Sequence, residues 1–475
     1  MRKGLIIAAG NGSRLRTDED DLPKPLIKVA GVPLIERVIL TAKKAGLSHF
    51  VVVLGFRGEA IEKYLQTHQK RLGVSVEFVW NEDWKKPNGF SVLKAEPLIE
   101  DEFVLMMSDH IVEVKMLEEF LQRGVVPGEV TLGTDARIGE IFDLDDATRV
   151  LATDGRIVEI GKNIENYNCI DTGLFLCSSG LFEALREVTQ TGTGSLSEAI
   201  RWLAQRGRAR AMPMGDYFWQ DVDSPETLVY AEQRLFQLLT KPTDGFVSRF
   251  FNRKVSGWIS RRLIKLPISA NQVTYSALFF GLLSAYLVAR GDHLSVALGG
   301  ILFQFCSIYD GCDGEIAKLR MTSSRFGEWL DTVCDNITYI AFFIGIVVGL
   351  HRQEAAPFLL YLGVVSLGGV IFTLILMYSY LRRYSQSGSL VTLQTDYSNE
   401  VKTSSSIFSR VIDRLKPLGK RDFFALLFMM FALFNRLDLI LIATFIGSQL
   451  MWIVLLGMKK GVSDALAPVH DFQED

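Results

Sequence analysis

The sequence is poor in several features that would point to common functional classes. Its five cysteines, Cys169, Cys177, Cys306, Cys312 and Cys334, form no Cys-x-x-Cys pair and have no histidine at metal-ligand spacing. That pattern argues against a zinc site or a disulfide framework and reads as small buried side chains. Charge of one sign is also lacking: 51 Lys and Arg against 54 Asp and Glu leave a net charge of −3, and no nucleic acid partner is expected. Met-Arg-Lys-Gly at the N-terminus runs straight into a short apolar strand, without the longer apolar region and small-residue cleavage site of a signal peptide. The first domain is therefore expected in the cytosol. Up to about residue 240 the chain mixes charged and apolar residues as a globular domain does, with no run long enough to cross a bilayer.

What is present divides the chain in two. Charged residues make up 22%, yet the mean hydropathy is +0.21, so the average conceals unlike halves. Beyond about residue 270, apolar stretches of roughly 20 residues recur, the length a hydrocarbon core requires. At 475 residues the chain exceeds a single small module, and neither a purely soluble enzyme nor a purely embedded channel fits.

Gly4 to Ala9 is an apolar run of strand length, followed by Gly10-Asn11-Gly12-Ser13-Arg14. A buried strand ending in a glycine-rich turn lets backbone N–H groups approach an anion closely; taken alone, it reads better as a structural tight turn. Leu22-Pro23-Lys24-Pro25-Leu26 follows, then Gly31-Val32-Pro33 before an amphipathic helix. Together these residues resemble the signature of the sugar-nucleotidyltransferase superfamily. The resemblance covers residues 1–240 and implies a three-layer α/β fold around a mixed sheet. It further implies that Ala9, Gly10 and Gly12 wrap a nucleoside triphosphate while Arg14 and Lys24 neutralise phosphate charge as catalytic residues. Dense positive charge where oxygen charge develops is what such a transfer needs.

Further landmarks follow in family order. Gly89, in Asn88-Gly89-Phe90, resembles the loop that contacts the nucleoside. Asp109 ends the apolar run Phe103–Met107, and aspartates at strand C-termini in open α/β sheets stand where ligands bind; the resemblance makes it a metal ligand. Lys162 and Asp171 resemble acceptor-binding residues. In Trp219-Gln220-Asp221-Val222-Asp223, Asp223 is favoured over Asp221 as the second metal ligand, and it also suits a helix N-cap before Ser224-Pro225-Glu226.

Residues 241–267 carry seven cations against one acid, Asp244, with Phe246, Phe250, Phe251, Val255, Trp258, Ile259, Leu263 and Ile264 at helical spacing. This reads as a basic amphipathic helix lying on membrane lipid, or else packed on protein. Six spans are predicted near 271–289, 294–311, 329–350, 356–381, 421–435 and 437–457 in a domain over 268–460, with a tail over 461–475. Lys and Arg concentrate in the connections that include Lys318, Arg320, Arg325, Arg382, Arg383, Arg410, Arg414, Lys416 and Lys420. By the positive-inside rule both termini of a multi-pass protein in the cell membrane are then cytosolic. The Ser- and Thr-rich segment from Ser385 to Ser406 is expected to be a cytosolic loop.

The loop expected between the second and third spans carries Asp310 and Asp313, at i, i+3; the third span carries Asp331 and Asp335, at i, i+4. Each pair shares a helix face, so two helices can present four carboxylates to one point. Such groups near a membrane need a compensating cation, and oxygen ligands suit magnesium or manganese, or calcium, rather than zinc. The spacing resembles the CDP-alcohol phosphotransferase family, with Lys318 where that family has arginine, a change that keeps the charge but loses the bidentate fork. This resemblance makes Asp310, Asp313, Asp331 and Asp335 metal ligands, Asp335 the general base, and Asn271, Thr274, Gly314, Ala317 and Lys318 nucleotide contacts. Ala270 replaces the proline usual before Asn271. A phosphorylated acceptor would need cations, for which Lys318, Arg320, Arg325, Arg382 and Arg383 are candidates.

The two signatures in one chain resemble a family of bifunctional enzymes that use CTP and inositol 1-phosphate to make CDP-inositol, then transfer inositol phosphate to a second inositol 1-phosphate with release of CMP. That resemblance implies magnesium, or manganese, in both domains, and a homodimer formed through the membrane domain. The rival readings are a different polyol phosphate, a phospholipid synthase using CDP-diacylglycerol, and a first domain that only binds nucleotide.

Overall fold

A computed structural model describes residues 2–15, 22–100, 102–239, 247–384 and 421–449, with the backbone alone for residues 249, 250, 377–384 and 421. The chain divides into two compact units, Met1–Gln237 and Leu238–Asp475.

The first unit is built on thirteen strands: β1 (Lys3–Ala8), β2 (Lys28–Val29), β3 (Val32–Pro33), β4 (His49–Leu54), β5 (Ser75–Trp80), β6 (Phe103–Met107), β7 (His110–Val112), β8 (Val130–Asp135), β9 (Arg149–Thr153), β10 (Arg156–Gly161), β11 (Cys169–Cys177), β12 (Ala209–Pro213) and β13 (Trp219–Asp221). Nine of them form one mixed sheet in the order β5-β4-β1-β6-β11-β8-β12-β10-β9. The β1, β4, β5 and β6 neighbours run parallel, and β11 enters antiparallel to β6 and β8. Among the described residues seven helices accompany them: α1 (Leu34–Lys44), α2 (Gly58–Leu72), α3 (Asn88–Lys94), α4 (Val114–Gln122), α5 (Gly180–Thr191), α6 (Leu196–Ala204) and α7 (Pro225–Gln237).

Alternation along the central strands explains why they are continuously apolar. Leu5, Val51 and Val53, Phe103 and Leu105 enter one core with residues of α3, α5 and α6. Their neighbours Ile6, Val52, Val104 and Met106 enter another with residues of α1, α2 and α4. A strand buried on both faces has no position for a polar side chain. The first polar residues after β1 and β6 therefore emerge where the sheet ends, next to each other, because these strands pair in parallel.

The second unit contains α8 (Arg253–Leu263), α9 (Ala270–Ala289), α10 (His293–Leu319), α11 (Arg325–Arg352), α12 (Pro357–Tyr384), α13 (Arg421–Leu433) and α14 (Leu437–Gln449). Among the described residues, four segments are long and apolar enough to cross a membrane: α9, α10, α11 and Pro357–Leu376 of α12. The apolar helices Asp422–Leu433 and Leu437–Gln449 are shorter, so among the described residues four of the six expected spans have the length and composition to cross a membrane. The remainder of the sixth expected span, the Ser385–Ser406 segment, the cations from Arg410 to Lys420 and the tail lie outside the described residues.

One expectation is corrected. Asp310 to Lys318 is not a loop: α10 continues to Leu319, and α11 begins at Arg325 rather than near 329. The apolar run marks only the lipid-length part of α10, whereas the backbone hydrogen bonds continue through the polar motif; the Ser324 side chain then caps α11 by accepting from the Gly327 N–H at 3.1 Å. α9 starts with a full capping box between Ser269 and Gln272, which places Asn271 and Thr274 in its first turns. α9 and α11 approach closely where a side chain on Gly345 would collide with the Ala285 carbonyl.

Candidate active sites

In the first unit, the turn after β1 and the aspartate after β6 lie side by side at the C-terminal edge of the sheet; the Ser108 N–H donates to the Ile7 carbonyl at 3.2 Å. A second element reaches the same place. β7 and β13 pair antiparallel with His110 opposite Asp221, and the Val222 N–H donates to the Asp109 carbonyl at 3.0 Å, which sets Asp223 beside Asp109. Two residues 114 apart in sequence are thus joined by a three-residue ribbon.

Between these carboxylates lies the Lys24 side chain, 8% exposed, whose ammonium donates to Asp109 Oδ2 at 2.5 Å and to Asp223 Oδ1. Gly12 has φ +57°, and a side chain there would strike Lys24. Burial tends to strip the Lys24 ammonium of its proton, but Asp109 and Asp223 outweigh it, so its pKa is raised. For Asp109 burial works upward, while the Lys24 charge and the His110 hydrogen bond at 2.9 Å bring the carboxyl far below the ordinary range. His110, held back by burial yet favoured more strongly by Asp109, rises to about 8.

Arg14 bridges Asp223 Oδ2 at 2.7 Å and Asp146 Oδ2 at 2.8 Å, and Lys162 donates to the other Asp146 oxygen at 2.6 Å. Lys24, Arg14, Lys162, Asp109 and Asp223 are thereby brought into one network. Asp171 is close enough for its charge to act on His110; burial pushes its own carboxyl up to about 6 despite the Gly173 N–H at 2.7 Å. Among the described residues nothing lies within 4 Å of where a side chain on Gly10 would start, the Ala9 carbonyl is taken by the Phe56 N–H at 3.0 Å, and Gly89 packs against the Gly194 carbonyl. Gly89 thus has a packing reason of its own.

In the second unit α10 and α11 present the carboxylates. One oxygen each of Asp310, Asp313 and Asp331 lies within 4.8 Å of the others, and the charge of Asp335, one turn along from Asp331, also bears on Asp313. Thr274 on α9 donates its hydroxyl to Asp313 Oδ2 and to the Ala270 carbonyl. Asn271 stands near Gly327, whose missing side chain would come within 3.6 Å of its Oδ1. Among the described residues, nothing beyond the helix's own turns lies within 4 Å of where a side chain on Gly311 or Gly314 would start, so no described packing contact demands glycine there. Open space beside an all-oxygen donor set fits a hard divalent cation and a ligand that approaches the helix backbone.

Lys318 and Arg325 are exposed. Arg320 is placed otherwise: its guanidinium donates to the Ile268, Leu266 and Ile264 carbonyls at 2.5, 2.6 and 3.1 Å, tying down the end of α8 rather than reaching towards the carboxylates. The side chains of Arg382 and Arg383 lie outside the description.

Residues 4–206 match the MobA-like NTP transferase domain, and residues 267–458 match CDP-alcohol phosphatidyltransferase. A bifunctional IPC transferase and DIPP synthase from Aquifex aeolicus is 35% identical over 78% of this chain and 82% of its own. The protein of the same name from Rubrobacter xylanophilus is 37% identical over 74% of this chain and 78% of its own. The chain belongs to the family of bifunctional IPC transferases and DIPP synthases. It is an enzyme with a nucleotidyltransferase part and a CDP-alcohol phosphotransferase part. The solved inositol-1-phosphate CTP transferase from T. maritima covers 49% of this chain and 97% of its own at 27% identity, with a TM-score of 0.43.

Within this family member two acidic-site residues, Asp146 and His110, escape the sequence reading, in which a third ranks second. Asp146 belongs to the run Asp143-Leu144-Asp145-Asp146, where no local pattern separates a site residue from a solvated one. His110 could have been suspected from its place directly after Asp109. Asp221, ranked below Asp223, stands with Asp146 and Asp223 in a second group whose carboxylate oxygens lie within 4.8 Å; β13 ends there, so both aspartates reach the sheet edge.

Proposed function

We propose that the first unit couples CTP to inositol 1-phosphate, giving CDP-inositol and pyrophosphate, and that the second transfers the inositol phosphate group of CDP-inositol to a second inositol 1-phosphate, giving di-myo-inositol phosphate phosphate and CMP. The observation that carries this reading is the presence, in one chain of this family, of a Lys24–Asp109–Asp223 site at a sheet edge and an Asp310–Asp313–Asp331 cluster on apolar helices. The printed names of the relatives support the choice of substrates.

In the first unit, Ala9, Gly10, Gly12 and Gly89 hold the nucleotide, Arg14 and Lys24 neutralise the triphosphate, and Lys162 and Asp171 receive the acceptor. Asp109 and Asp223 would hold magnesium, with Lys24 turning from the carboxylates to phosphate oxygen. In the second, Asp310, Asp313, Asp331 and Asp335 would hold magnesium or manganese. A divalent cation at either site supplies positive charge where phosphoryl oxygens gain negative charge. Asn271, Thr274, Gly314, Ala317 and Lys318 seat the CDP group; Asp335 takes the proton from the acceptor hydroxyl, whose oxygen attacks the phosphorus bearing the donor alcohol, and CMP leaves. Arg325, Arg382 and Arg383 remain for the acceptor phosphate, and Arg320 acts as a tie.

The reading extends to architecture: a three-layer nucleotidyltransferase domain near 1–240, a basic surface helix over 241–267, and a multi-pass domain over 268–460 followed by the tail, with both termini cytosolic and a homodimer formed through the membrane domain. The exposed Phe251 and Trp258, the latter under the Arg262 guanidinium at 3.6 Å, suit contact with lipid headgroups. Purified protein with CTP, magnesium and candidate polyol phosphates, followed by phosphorus NMR, tests the proposal. Labelled inositol 1-phosphate should enter a water-soluble diester, and Asp335→Asn should stop at CDP-inositol; a chloroform-soluble product, or diester formation that survives Asp335→Asn, would overturn it.

A further inference from the structure

Glu315 lies inside the carboxylate motif, two residues after Asp313, yet it faces away from the cluster. With about 100° of turn per residue, Asp313 and Asp310 stand about 200° and 140° around α10 from it. Its carboxylate is 4% exposed and is engaged by α8 alone in the described contacts: Arg253 Nη1 donates at 2.9 Å, Ser256 Oγ at 2.8 Å and Ser260 Oγ at 2.7 Å. The same face of α10 continues the attachment, with Gln304 Nε2 donating to Asn252 Oδ1 at 3.2 Å and Cys312 Sγ against the Ser256 carbonyl at 3.6 Å. Five residues on, Arg320 holds the carbonyls that follow α8.

This is an unusual way to join two helices that lie beside apolar spans. Ser256 and Ser260, one turn apart, turn the buried side of α8 polar, while Phe251 and Trp258 stand outward. Hydrocarbon packing would attach α8 through a broad apolar face that tolerates sliding and rotation. A buried carboxylate with three donors on one helix does not, since any slip leaves a charge and hydroxyls without partners.

We infer that Glu315 is a positioning residue: through Arg253, Ser256 and Ser260 it fixes the rotation and height of α10, and so the placing of Asp310 and Asp313 opposite Asp331. The inference rests on the proposal that these aspartates hold a divalent cation. Removing Glu315 alone would strand Arg253, so the informative variant replaces the pair, Arg253→Met with Glu315→Leu, and Glu315→Gln serves as the conservative partner. In the full chain in detergent, the double variant keeps its melting temperature. Its Mn2+ affinity, read by EPR in an Asp109→Asn background, falls about tenfold, as does kcat for transfer in the otherwise native chain. Cytidylyl transfer is unchanged, and Glu315→Gln recovers most of both losses. Mn2+ binding and transfer within twofold of the parent, or a loss that only tracks a lowered melting temperature without recovery in Glu315→Gln, overturns the inference. Asp310→Asn separates the two readings. If it abolishes Mn2+ binding while the double variant is unaffected, only the positioning role fails; if Mn2+ binding and transfer survive it, the metal assignment fails and the positioning role with it.

Discussion

Replacing Lys24 with methionine keeps the length and apolar stem of the side chain but withdraws the ammonium from between Asp109 and Asp223. With the lysine side chain 8% exposed and the carboxylates 25% and 19% exposed, the ion pairs are largely screened from water. Removing one partner of such a group costs about 3–5 kcal/mol, because the remaining charges stay buried and here also repel one another. For a unit of this size that lowers the melting temperature by roughly 6–20 °C. The sign with pH follows from Asp109, whose folded pKa is depressed: its contribution is present above the ordinary carboxylate range, about 4, and is lost as pH falls through the folded value. The deficit of Lys24→Met relative to the parent is therefore expected at neutral pH and should shrink on acidification. Magnesium should restore more stability to the variant than to the parent, since it meets two uncompensated carboxylates. CTP-dependent pyrophosphate release should fall about 10²–10³-fold, as when one preorganised donor is lost from a phosphoryl site. Calorimetry with and without magnesium, together with the pyrophosphate assay, is sufficient. A melting temperature within 2 °C of the parent at neutral pH, with unchanged CTP turnover, would refute the reasoning.

Asp171, raised to about 6 chiefly by burial, is protonated in the folded state over a window where the unfolded chain has lost its proton; stability should decline from pH 4 to 6, by about 2 kcal/mol, and Asp171→Asn should flatten that slope in denaturant titrations. Asp135→Asn removes a buried acceptor of the Arg137 fork at 2.8 and 3.1 Å and of Trp219 Nε1 at 2.8 Å. It should cost about 2–4 kcal/mol at neutral pH and alter Trp219 fluorescence, with unchanged unfolding as the contrary result. Gly345→Leu should separate α9 from α11 and lower the melting temperature in detergent, whereas Gly314→Ala, with open space around it, should leave that temperature unchanged while weakening CDP-alcohol turnover.

Much of what forms the two candidate sites was legible in local patterns. The glycine-rich turn could be read because a strand buried on both faces must be apolar to its end, which singles out the first polar residues. The Asp310/Asp313 and Asp331/Asp335 pairs could be read because helical spacing alone puts each pair on one face. The motif's setting was misjudged, since hydropathy reports where lipid-length segments end and α10 runs past that limit to Leu319. Asp146 was missed because its neighbours in the site, Arg14 and Lys162, meet it only after β1, β9 and β10 are assembled.

By itself the sequence determined two parts of unlike polarity, the strand that delivers Gly10 to Arg14, and the four carboxylates at helical intervals, because each depends on bonding and periodicity within a few turns or one strand. The tertiary structure alone decided that Lys24 stands between Asp109 and Asp223, that Arg320 secures the end of α8 instead of reaching the cluster, and that Glu315 binds α8 on the side of α10 away from Asp310 and Asp313. Those arrangements depend on which distant elements meet. Spacing specifies the face a residue occupies, whereas its partner is chosen by sheet order and by the need of each buried charge for donors or opposite charges nearby.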